Sequence, residues 1–151
     1  MSEPTVLVFF GDHLANLGED CLAYRELGMD VGKTDTPKNT LEAYKTPFVI
    51  YGNTAYCERV DFAKAKESLQ LSPVINSNYL GAAVLELTGF SGNDAYFDFL
   101  NYARRQLPVF RLKENVYCDK DGNFSSAVSN PDHLDIINKV DMWEYHRLRG
   151  K

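Results

Sequence analysis

Apolar positions along the chain fall into blocks whose periodicity changes from one to the next. Thr5-Val6-Leu7-Val8-Phe9-Phe10 is an unbroken aliphatic and aromatic run that Gly11-Asp12-His13 ends abruptly. Six residues without alternation predict a strand covered on both faces, as in the middle of a parallel sheet flanked by helices. Glu19 to Leu27, closed by Gly28, predicts a short helix. Residues 29–45 are polar, carry Gly32, Pro37 and Asn39, and predict a surface loop. Pro47 opens a second apolar run, Phe48-Val49-Ile50-Tyr51, ended by Gly52-Asn53, and proline is tolerated at a strand's first residue.

Helical spacing dominates the rest. Asp61 caps a predicted helix through Leu69, and a second runs from Tyr79 to Leu87 with Gly89 as its stop. Asp94 starts a third, in which Tyr96, Phe97, Leu100, Ala103 and Leu107 recur at helical spacing until Pro108. Val116-Tyr117-Cys118 and Phe124 flank Asp121-Gly122, a hairpin signal. Asn130-Pro131-Asp132 opens a last helix through about Leu148, with proline at its first position. Strands alternating with helices predict the α/β class: a mostly parallel sheet flanked by helices, with a C-terminal hairpin and helix, in a single domain over residues 1–151.

Composition narrows the partners. A chain of 151 residues with 44% hydrophobic and 25% charged residues is globular. It carries no apolar run of the ~20 residues that span a bilayer, and it is expected to be soluble. A net charge of −5 argues against broad electrostatic binding to nucleic acid. Cys21, Cys57 and Cys118 match neither a disulfide framework nor a zinc pattern.

Gly11-Asp12-His13 is the leading chemical constellation. Ligands of open α/β sheets collect at the carboxyl ends of strands. An adjacent Asp and His offer one hard oxygen and one imidazole nitrogen, a set that suits Mn²⁺, Zn²⁺ or Mg²⁺. The alternative is a polar turn with Asp12 as a cap and His13 in solvent, and two ligands fall short of the three or four that a metal needs. Gly28-Met29-Asp30-Val31-Gly32-Lys33-Thr34 resembles a phosphate loop, but it is one residue short and follows a helix. Asp119 to Asn123 hints at a calcium loop whose outer ligand positions fall on Tyr117 and Val128, so a hairpin turn explains it better. Cys21-Leu22-Ala23-Tyr24-Arg25 has Ala23 where the sulfatase nucleophile motif has proline, and the helical pattern accounts for it. His133 and His146 lie too far apart on the last helix to act as paired ligands.

Pro4 to Leu14 resembles the strand-and-turn segment of lipoteichoic acid synthase-like proteins, which are phosphoglycerol transferases and sulfatase-like enzymes of the alkaline phosphatase superfamily. The likeness continues through Tyr24 to Gly28, Lys45 to Tyr51, Ser77 to Gly81, Leu107 to Val109 and Tyr145 to Lys151, in the family's order. Ala15 stands where many relatives carry proline, which bears on loop stiffness. The resemblance implies a partial alkaline-phosphatase-like fold and a metal-dependent enzyme, often Mn²⁺-loaded, with Asp12 and His13 as metal ligands. The family's nucleophile is a threonine on a segment well before this motif. The chain is therefore expected to be the C-terminal part of a catalytic domain, inactive by itself and binding metal weakly. In an intact relative the threonine attacks a phosphodiester, leaving a glycerophospho-enzyme and releasing a lipid. The implied parent is membrane-anchored, with an extracellular catalytic domain that acts on glycerophospholipid or polyglycerolphosphate.

A sulfatase or phosphodiesterase of the same superfamily is the close alternative, and a non-catalytic α/β interaction module is a third. The expected partners are the missing N-terminal half and, through an exposed strand edge, another copy of the chain.

Overall fold

A computed structural model describes every residue except Met1, Asp30, Lys33, Ser91, Asn93 and Lys151. It is α/β in class, and its backbone contacts gather into two compact units, Met1–Ala65 and Lys66–Lys151.

The first unit is built on two strands, β1 (Val6–Phe10) and β2 (Phe48–Gly52), which pair antiparallel with Val6 opposite Gly52 and Phe10 opposite Phe48. This corrects the expectation of a mostly parallel sheet. The Gly11 amide donates to the Pro47 carbonyl at 3.0 Å, so the chain returns to the same end of β1 that it left and must run backwards along it. A parallel neighbour would have to re-enter at the opposite end after a crossover. The intervening helices, α1 (Leu22–Glu26) and α2 (Pro37–Tyr44), therefore close a return loop rather than a crossover. The two covered faces expected of β1 are corrected as well. Leu7 and Phe9 are 57% and 70% exposed, and their cross-strand partners Tyr51 and Val49 are both 56% exposed.

α2 lies inside the stretch expected to be loop. The Thr36 side chain accepts from the Asn39 amide, Pro37 occupies the first turn, and Thr40 and Leu41 are buried. The glycine-rich stretch likened to a phosphate loop has Asp30 and Lys33 outside the described residues. Beyond β2, the Asn53 side chain caps the one-turn α3 (Thr54–Cys57) by accepting from the Tyr56 amide, and α4 (Phe62–Leu69) follows.

The second unit is mainly helical. A 3₁₀ turn at Ser77–Tyr79 leads into α5 (Leu80–Leu87), then α6 (Ala95–Gln106), and finally the 19-residue α7 (Pro131–Arg149). Between α6 and α7 the strands β3 (Val109–Arg111), β4 (Val116–Cys118) and β5 (Phe124–Ser125) form an antiparallel sheet. The hairpin at Asp121-Gly122 is the β4–β5 turn. β3 carries no separate sequence expectation. It is held by Asn76, whose side chain both accepts from the Phe110 amide and donates to its carbonyl, mimicking a neighbouring strand. Tyr79, Leu100, Leu107, Ile136 and Val140 are the fully buried centre.

One polar network is sealed into this unit. The Arg104 side chain, 1% exposed, donates to Glu86 at 2.9 Å, to the Leu69 carbonyl at 2.9 Å and to Asn101 at 2.8 Å, and Arg105 also pairs with Glu86. Removing one partner of a buried pair strands the other charge, which costs more than the pair itself contributes. Glu86→Ala is expected to lower stability to urea by about 3 kcal/mol. Replacing Lys139, whose pair with Asp135 is exposed, should leave the urea midpoint unchanged within error.

Candidate functional site

The exit of β1 is pinned from two sides. Besides the Gly11–Pro47 bond, the Thr46 hydroxyl donates to the Gly11 carbonyl at 2.7 Å. A Cβ at position 11 would lie 3.1 Å from the Thr46 Cβ, so a side chain there requires Thr46 to give by a few tenths of an ångström. The two residues after this clamp are Asp12 and His13.

Their side chains converge. The Asp12 Oδ1 accepts from the His13 amide at 2.8 Å, which folds the carboxylate back over its own turn and leaves Oδ2 open. The His13 Nδ1 lies 3.0 Å from the Leu14 carbonyl. A carbonyl oxygen can only accept, so Nδ1 carries a proton, and it is in the neutral form of the ring that Nε2 has a lone pair to offer. That nitrogen is 3.6 Å from the Asp12 Oδ2. Two ligands about 2.1 Å from one cation, at a tetrahedral angle, are separated by about 3.4 Å, so this spacing fits a shared divalent ion. The Leu14 carbonyl thus fixes the direction in which the His13 ring points.

The pair is open to water, with the His13 and Asp12 side chains 78% and 83% exposed. Among the described residues, no cluster of three or more His, Cys, Asp or Glu is arranged to hold a metal. As this chain presents it, the turn offers one oxygen and one nitrogen donor, with their alignment set by backbone contacts.

Other chemistry-bearing residues sit elsewhere and are engaged locally. In the second unit His133 lines a cavity of about 240 Å³ with Asp119, Asp121, Asp132 and Tyr102. The Asp119 carboxylate is already occupied by the Asp121 and Asn123 amides and the Asn123 side chain, which close the hairpin. Partial burial alone would raise its pKa, but these bonds and the nearby His133 bring it below the ordinary value. Cys21 precedes α1 in a left-handed conformation, with φ of 56°. Neither the cavity nor the orienting Leu14 carbonyl has a sequence signature, since both arise from backbone placement.

A family model described as Sulfatase matches residues 1–90, which include the strand pair and the Asp12–His13 turn. No curated protein matches the chain, and no solved structure does. Among the described residues no helix is long and apolar enough to cross a membrane.

The clamp makes its own prediction. Gly11→Ala should push Thr46 away and cost about 1–3 kcal/mol, the usual penalty of overpacking, read as a lower urea midpoint. Ala15→Gly, beyond the clamp, should leave the midpoint within about 1 kcal/mol of the parent.

Proposed function

The chain belongs to the sulfatase family, and from that premise we propose that it is the metal-ligating part of a phosphoglycerol transferase of the lipoteichoic acid synthase type. Asp12 and His13 are two ligands of a divalent cation, Mn²⁺ first, with Zn²⁺ or Mg²⁺ as substitutes. The observation that supports this reading is the convergence of the Asp12 Oδ2 and the His13 Nε2 at 3.6 Å on a strand-end turn fixed by Thr46 and Pro47.

A cation bound there supplies charge neutralisation at a phosphoryl oxygen and a lowered pKa for an attacking hydroxyl. The residues of this chain position it. Asp12 contributes charge, His13 contributes a nitrogen whose direction the Leu14 carbonyl sets, and the Gly11–Thr46 contact keeps both at the end of β1. Two ligands leave a cation short of its sphere, so the remaining ligands and the attacking threonine come from polypeptide other than residues 1–151. The substrate is a glycerophospholipid or polyglycerolphosphate, and the parent enzyme is anchored to a membrane with this domain outside it.

Sulfate-ester hydrolysis is the second reading, favoured by the family description itself. Substrate choice separates the two. The gene product containing these residues should release diacylglycerol from a labelled glycerophospholipid in Mn²⁺ and leave an aryl sulfate intact. Aryl sulfate hydrolysis without lipid cleavage would transfer the assignment to the sulfatases.

The isolated chain tests the ligand assignment. Added Mn²⁺ should broaden the NMR signals of residues 12–14 and of Thr46 selectively, and Asp12→Ala should weaken binding at least tenfold, within the range seen when a ligand or its support is lost. Uniform weak broadening, unchanged in Asp12→Ala, would sink the metal role.

A further inference from the structure

We propose that β1 is an interaction edge that pairs antiparallel with β1 of a second copy of this chain. The argument starts from the ladder. The Gly11 amide bonds to Pro47 and the Asn53 amide bonds to the Thr5 carbonyl, so the odd residues of the run exchange hydrogen bonds with β2. Pairing alternates along an antiparallel strand, so the N–H and C=O groups of Val6, Val8 and Phe10 point to the other side. Among the described residues no strand lies there, and those groups have no partner. Nothing from Thr5 to Gly11 carries charge, proline or a bulge, the devices by which edges are normally protected.

The edge is self-complementary. A two-fold axis through Val8 sets Val8 opposite Val8 of the second copy and Val6 opposite its Phe10. All the outward N–H and C=O groups of these three residues then pair with identical groups. The same register sets Leu7 beside Phe9 of the second copy, in the closer, non-hydrogen-bonded positions where side chains touch. Both residues are more than half exposed in the single chain, and neither brings a charge to the seam. Pairing turns a two-stranded ribbon, which is marginal alone, into a four-stranded sheet.

On the outer side of β2 the Gly52 carbonyl already accepts from the Cys57 thiol at 3.5 Å, so that edge has fewer open groups than β1. An edge of this length buries less than about 1,200 Å² in total, the class of weak interfaces, so the dimer should dissociate on dilution.

Sedimentation velocity over a concentration series, up to about 1 mM, reads the equilibrium. The parent chain is expected to shift from monomer to dimer across it. Leu7→Lys combined with Phe9→Lys sets like charges against each other across the seam and should weaken the dimer roughly tenfold. Leu7→Lys combined with Phe9→Glu sets opposite charges there and should restore it. Both positions face solvent in the single chain, so circular dichroism should match the parent in each variant. A monomer at every concentration would overturn the proposal, and so would a dimer that the double lysine leaves intact. A dimer lost in both variants would overturn the Val8-centred register. Because no metal enters this experiment, its outcome is independent of the assignment of Asp12 and His13.

Discussion

The first unit depends on one constraint: the chain leaves β1 and re-enters β2 at the same place. The bond from the Gly11 amide to the Pro47 carbonyl and the bond from the Thr46 hydroxyl to the Gly11 carbonyl join the two strand ends directly. Strand direction, register and the exposed face all follow from that join. So does the chemistry, because Asp12 and His13 are the next residues out, and whatever holds Gly11 holds them. At the far end the Thr5 and Asn53 contacts close the ladder, so the turn projects from a ribbon fixed at both ends. A metal-binding turn on a free loop would have to be ordered by the ion itself, and the ordering entropy would be subtracted from its affinity.

Much of this was legible in the sequence, and the errors have definite physical origins. β1 and β2 stand where their apolar runs placed them, because β-branched and aromatic residues bounded by Gly and Pro admit few other readings. Their direction was hidden. An unbroken apolar run is what a strand with two covered faces requires, but here the face that carries Leu7 and Phe9 is open. Leu7 and Phe9 have the composition of core residues and the exposure of surface ones. α2 is a different failure, since Thr36-Pro37 is a helix-start signature that the surrounding polarity masked. The Asp12–His13 pair was visible by adjacency, whereas the carbonyl that selects the histidine tautomer is a three-dimensional fact.

The two units treat polar groups in opposite ways. In the second, Arg104 lies among Glu86, Asn101 and the Leu69 carbonyl with almost no contact with water. Burial makes its charge harder to hold and pulls its pKa down, and the Glu86 carboxylate offsets that in part. Such a network fixes one arrangement of α5 and α6 and offers a ligand nothing. In the first unit, the Asp12 Oδ2 and the His13 Nε2 face solvent 3.6 Å apart. Polar groups locked among protein partners in one unit and open to water in the other separate structure from chemistry here.

The geometry also accounts for why a site of this kind would be weak alone. Water competes for a cation at every coordination position that the protein does not fill, and two neighbouring ligands displace few waters from a hydrated ion. A third and a fourth donor add more than their own bonds, since they exclude solvent and lower the local dielectric around those already present. If Asp12 and His13 ligate a cation as proposed, most of their affinity comes from groups brought to them. That dependence favours a ribbon whose end is rigid before the ion arrives, because alignment established by Gly11, Thr46 and Pro47 need not be purchased from the metal.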